Sequence, residues 1–124
     1  AIPQEEGSFA DAGYGHGTNV AGIIRQIAPR ATILPVRVLG PDGMGDVASV
    51  AAGIQWAMAK GARIINLSLG SEDSLKAVEE VIKQATAKGI FVVASTGNTG
   101  GKNVTWPASS AAEAKNRLRI SVTS

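Results

Sequence analysis

Apolar residues recur along this chain in two alternating styles. Val20, Ile23, Ile24 and Ile27 fall at helical spacing and predict an amphipathic helix over residues 17–28, stopped by Pro29. A second stripe, Val47, Val50, Ala51, Ile54 and Ala57, follows Asp46, a residue suited to an N-cap, and ends before Gly61, a candidate left-handed C-cap. A third, Leu75, Val78, Val81, Ile82 and Ala85, predicts a helix over residues 74–88, ended by Gly89; Glu79 and Lys83 on its polar side are spaced for an i,i+4 ion pair. Between the helices stand short runs rich in β-branched residues, read as strands: 32–39 (TILPVRVL), 63–69 (RIINLSL), 90–95 (IFVVAS) and 118–123 (LRISVT). Pro35 has no N–H, so it belongs at a sheet edge or where no ladder donor is needed. The helix stripes are the expected core, and Trp56 and Trp106 read as packing residues. Residues 1–12 show no period and form an irregular lead-in, and breakers crowd residues 40–45, 70–73 and 96–102.

The order is α-β-α-β-α-β-loop-β. Strands separated by helices make right-handed crossovers, which predicts an α/β three-layer sandwich around a mostly parallel sheet. Ligands of such sheets gather beyond the carboxyl ends of the strands. Three glycine-rich loops lie at that end, and His16, at the mouth of the first helix, belongs on the same side.

Composition narrows the chemistry. One domain of 124 residues is 44% hydrophobic and 18% charged, with only five aromatic residues, so its core is aliphatic. A net charge of +2 without a basic run offers no nucleic-acid or membrane surface, and no apolar run approaches a membrane span. No secretory signal pattern opens the chain, and its start at Ala1 suggests a processed product or an excised piece. The absence of cysteine excludes disulfides and thiolate zinc sites.

His16 is the only histidine, set among glycines in GYGHGTNVAG (residues 13–22). Glycine leaves room for a ligand to approach the backbone closely. A phosphate loop at residues 97–101 fails because no helix start follows it. A metal site fails because only oxygen ligands would remain, and the calcium-like run from Asp42 lacks the acidic residue required at its twelfth position. Nucleophilic acyl transfer fits better: His16 can serve as base and Asn98, after the third strand, as an amide donor to an oxyanion.

HGTNVAG (16–22) resembles the histidine signature of the subtilisin-like serine proteases, the subtilases, with Asn19 where that family usually has a second histidine. The resemblance continues in register through VRVLG with Asp42-Gly43, then IQWA (54–57), INLSLG (65–70), STGN (95–98), Trp106-Pro107-Ala108 and ISV (120–122). It covers the chain from about residue 11 to the end and implies a partial subtilisin-like fold over residues 13–124. It further implies that His16 is the general base and that Asn98 donates to the tetrahedral oxyanion. Gly43, Met44 and Gly45 on one side, and Ser68, Leu69 and Gly70 on the other, would pair with the substrate backbone. Ser95, Thr96 and Gly97 would line the pocket for the side chain before the scissile bond.

The departures are as informative. The family's catalytic aspartate lies in an Asp-Thr-Gly or Asp-Ser-Gly motif on a first strand, and its nucleophile in a Gly-Thr-Ser motif opening a long helix. Neither motif occurs in these 124 residues. Ser109-Ser110 resembles the latter only superficially, without the glycine-threonine lead, and Asp11 reads as a polar loop residue. The expectation is therefore the central fragment of a subtilisin-like endopeptidase, inert alone, lacking the aspartate strand and the serine helix. The alternative is a non-catalytic α/β module that kept a peptide-binding cleft. No cofactor is expected; relatives can bind calcium, but no such site is recognisable here. The partners implied are a peptide or protein substrate and, at the gap left between strands 32–39 and 63–69, the missing parts of the domain or a second copy. Family resemblance implies a secreted or cell-associated protein.

Overall fold

The computed structural model describes residues 11, 13–71, 75–97, 106–109 and 117–123. In chain order the elements are α1 (His16–Ile27), α2 (Val47–Ala59), β1 (Ile64–Leu67), α3 (Lys76–Ala87), β2 (Phe91–Ser95) and β3 (Arg119–Val122). The chain divides into two compact units, Ala1–Gly53 and Ile54–Ser124.

The second unit holds the sheet, and the parallel α/β architecture expected from the sequence is the one observed. Its order is β1-β2-β3, all neighbours parallel. Ile65 pairs with Val92, and Val92 with Arg119, so these three positions share one face with Leu67 and Ala94. On α3, Val78, Val81, Ile82 and Ala85 are all buried at the predicted spacing, and α3 packs on β2. Burying each Val or Ile side chain contributes about 1.5–3 kcal/mol. The opposite face is apolar too, yet Ile64, Phe91, Ile120 and Val122 are exposed there.

Two helices end as their glycines predict. Gly61 and Gly89 take positive φ of 81° and 82°. After α3, Gly89 N–H donates to Thr86 O and Ile90 N–H to Ala85 O; after α2, Gly61 N–H donates to Met58 O and Ala62 N–H to Ala57 O. Both are Schellman closures, which satisfy carbonyls left over at a helix end. At the front of α2, Asp46 Oδ1 accepts from Ser49 N–H at 2.8 Å, the predicted N-cap.

Four expectations fail. Residues 32–39 form no strand: they make no ladder with any described residue, although Val36 and Val38 both lie beside Gly53. β-propensity describes fit to a pleated neighbour, and it does not supply the neighbour. The α1 stripe is not core, since none of its residues is buried and Ile27 is 82% exposed. Lys83 pairs with Glu80 at 3.4 Å rather than with Glu79, because Glu79 is taken by the buried Arg119. Trp56 is 43% exposed, with Lys60 Nζ 5.6 Å from its ring centroid, whereas Trp106 is buried as expected.

Candidate active site

His16 is the first residue of α1, and its side chain is exposed. The turn before it is made possible by Gly15, which stands at the helix N-cap with φ 72°. Gly13 N–H donates to Pro41 O at 2.8 Å, so the approach to His16 lies directly against the loop carrying Gly43, Met44 and Gly45. The fit is close enough to demand glycine: a Cβ on Gly13 would strike the backbone of Gly43 and Pro41. The loop is braced from within. Gly40 N–H donates to Met44 O at 2.7 Å, Gly43 N–H to Gly40 O at 3.0 Å, and Met44 N–H to the Asp42 carboxylate at 2.9 Å. Gly43 takes φ 80°, and Met44 projects outward, 71% exposed, as a rim residue would. The first unit therefore brings the candidate base and one candidate substrate-binding segment together.

The second unit gathers the other segments. Because β1 and β2 run parallel, with Leu67 opposite Ala94, residues 68–70 and 95–97 leave the carboxyl ends of neighbouring strands. This is where ligands of open parallel sheets bind. Ser68 Oγ accepts from Asn66 Nδ2 at 2.8 Å. Thr96 N–H donates to Val122 O at 2.9 Å, extending the β2–β3 ladder by one bond, and Gly97 then turns the chain with φ 89°. Asn98 lies outside the described residues.

Sequence reasoning missed two ties around these segments. Ser71 and Trp106 exchange backbone hydrogen bonds of 2.9 Å in an isolated antiparallel bridge. Ser121 Oγ donates to Ala108 O at 2.6 Å. Nothing in the strand-like run LRISVT marks Ser121; only the meeting of distant segments does. Among the described residues no group of acidic or histidine side chains could hold a metal ion, and no helix is long and apolar enough to cross a membrane.

A sequence model described as the Subtilase family matches residues 3–124. Subtilisin BL of Lederbergia lenta is 41% identical over 105 residues, 77% of this chain and 39% of that protein. Alkaline elastase YaB of Bacillus sp. (strain YaB) is 43% identical over 105 residues, 77% of this chain and 28% of that protein. Minor extracellular protease Epr of Bacillus subtilis (strain 168) is 39% identical over 121 residues, 84% of this chain and 19% of that protein. Among solved structures, Sphericase superposes with a TM-score of 0.56 at 30% identity, covering 68% of this chain and 27% of that one. The chain thus spans well under half the length of these relatives.

Proposed function

The chain belongs to the Subtilase family, and from that premise we propose that it supplies the base and most of the substrate cleft of a subtilisin-like serine endopeptidase. The observation that carries this reading is the position of His16. It is an exposed side chain at the first turn of a helix, held beside the Gly43–Gly45 loop by the Gly13–Pro41 hydrogen bond. In this role His16 takes the proton from a serine hydroxyl as the oxygen attacks the peptide carbonyl, then returns it to the leaving amine. Asn98 donates its side-chain amide to the oxygen on which negative charge develops. Gly43, Met44 and Gly45, and likewise Ser68, Leu69 and Gly70, serve as segments that pair with the substrate backbone, through main-chain hydrogen bonds that glycine leaves accessible. Ser95, Thr96 and Gly97 line the pocket for the side chain before the cleaved bond.

The serine and aspartate come from outside these 124 residues, so the chain alone turns nothing over. They arrive with the remaining parts of a catalytic domain; a second copy carries neither residue and would serve only to pair at the gap in the sheet. Kinship with an extracellular protease supports secretion or attachment to the cell surface. The reaction draws on no cofactor.

A fluorophosphonate probe, which labels activated serines, should leave the isolated chain unmodified; stoichiometric labelling would overturn the division of roles. In a protein extended by its flanking coding sequence, the probe should label a serine downstream, and His16→Ala should abolish that labelling while the fold persists. Flanks without an Asp-Thr/Ser-Gly motif upstream and a Gly-Thr-Ser motif downstream would favour a peptide-binding module instead.

A further inference from the structure

The segment Trp106-Pro107-Ala108 is fastened at both ends to parts of the candidate cleft. At one end Trp106 exchanges two backbone hydrogen bonds with Ser71, the residue after the substrate-pairing run 68–70. At the other, Ala108 O accepts the Ser121 hydroxyl at 2.6 Å. Ser121 sits opposite Ala94 in the β2–β3 register, one residue before the candidate pocket residues, and its neighbour Val122 pairs with Ser95 and accepts from Thr96 N–H. Trp106, Pro107 and Ala108 are all buried. Residues 68–70 and 95–97 are therefore joined through a short, packed strip of chain that a serine hydroxyl fastens to β3.

We propose that Ser121 is a positioning residue for side-chain selection by the cleft. Its hydroxyl holds Ala108, and through it the Trp106–Ala108 strip, in register with residues 95–97. The reason is chemical: Ala108 is fully buried while Ser121 lies in the exposed part of β3, so losing the hydroxyl removes the carbonyl's direct link to β3 and leaves water to enter between the strip and the strand in its place. Threonine keeps the hydroxyl and alanine does not. The inference rests on the peptidase reading above for the identity of the cleft, but the tether can be read separately.

Trp106 is the built-in reporter. With Trp56→Phe removing the exposed tryptophan, fluorescence reports on Trp106 alone. Ser121→Ala in that background should shift its emission to the red and raise acrylamide quenching about twofold, and Ser121→Thr should restore both. Binding of two fluorescein-labelled peptide amides, Ala-Ala-Ala-Phe and Ala-Ala-Ala-Ala, then tests selection. Ser121→Ala should change the ratio of their dissociation constants by roughly two- to tenfold, the range of one lost hydrogen bond, with threonine again restoring it. An unchanged emission and ratio in Ser121→Ala, or equal changes in the alanine and threonine variants, would overturn the proposal while leaving the peptidase reading intact. If neither peptide binds the unmodified chain, the cleft assignment fails and the role of Ser121 in selection fails with it, whatever the fluorescence shows.

Discussion

Gly22 and Gly89 are the same residue in opposite backbone states, and they should respond oppositely to one methyl group. Gly22 lies within α1 with open space where a Cβ would stand. Gly22→Ala should stabilise that helix by up to about 1 kcal/mol, seen as added helicity in far-ultraviolet circular dichroism. Gly89 also has open space, but its φ of 82° is one that L-residues adopt at a cost. Gly89→Ala should lower unfolding stability by roughly 1–2 kcal/mol in urea denaturation. Asp46 offers a third test. Its carboxyl is held below the ordinary aspartate value first by the Ser49 backbone N–H and then by the Ser49 hydroxyl. A depressed carboxylate contributes stability that is present above its unfolded pKa and lost as pH falls through the folded one. Asp46→Ala should therefore melt at a lower temperature than the parent at neutral pH, and the difference should shrink on acidification below the ordinary aspartate range.

At the scale of elements, the tie between α3 and β3 is an ion pair. Arg119 Nη1 and Nη2 donate to the two Glu79 oxygens at 2.5 and 3.1 Å, with side-chain exposures of 4% and 17%. Removing one partner strands the other, so Glu79→Gln should cost about 3 kcal/mol, whereas a joint Glu79→Leu and Arg119→Met replacement should be much closer to neutral. Paired urea titrations of the single and double variants check both outcomes. This pair also shows what sequence spacing misses. Glu79 and Lys83 are well placed on one helix, yet a surface pairing of a few tenths of a kcal/mol yields to a buried guanidinium forty residues away in the chain that needs a counter-charge. The α3 stripe was legible because the helix buries its whole apolar face against a sheet. The α1 stripe has the same period, but amphipathicity only offers a face and cannot say whether anything covers it.

At the scale of the molecule, the sheet in the second unit has a covered face and an open one. Ile64 pairs with Phe91, and Asn66 with Val93 and Val93 with Ile120, so one continuous surface carries Ile64, Phe91, Val93, Ile120 and Val122 without a single charge. Parallel sheets are ordinarily covered on both sides. The isolated chain should therefore bind the hydrophobic dye ANS while fully folded. A Phe91→Lys/Ile120→Lys variant should show markedly lower dye emission with unchanged far-ultraviolet circular dichroism. Equal emission from parent and variant would mean the dye binds elsewhere.

The sequence by itself determined the pieces whose cause is local. Gly61, Gly89 and Asp46 set the helix ends because φ and capping bonds depend on a few adjacent residues. The α-β alternation set the parallel sheet, and the ordered motifs around His16 set the family. Tertiary structure alone decided which stripe is buried, whether residues 32–39 find a ladder partner, which acid Arg119 takes, and that the Ser121 hydroxyl meets Ala108 O. Those outcomes depend on which distant surface arrives opposite a residue. His16 shows the division most clearly. The role proposed for it rests on one residue type in one motif, while the packing of the turn before it against the loop at Pro41 and Gly43 exists only because Gly13, lacking a Cβ, lets two backbones touch.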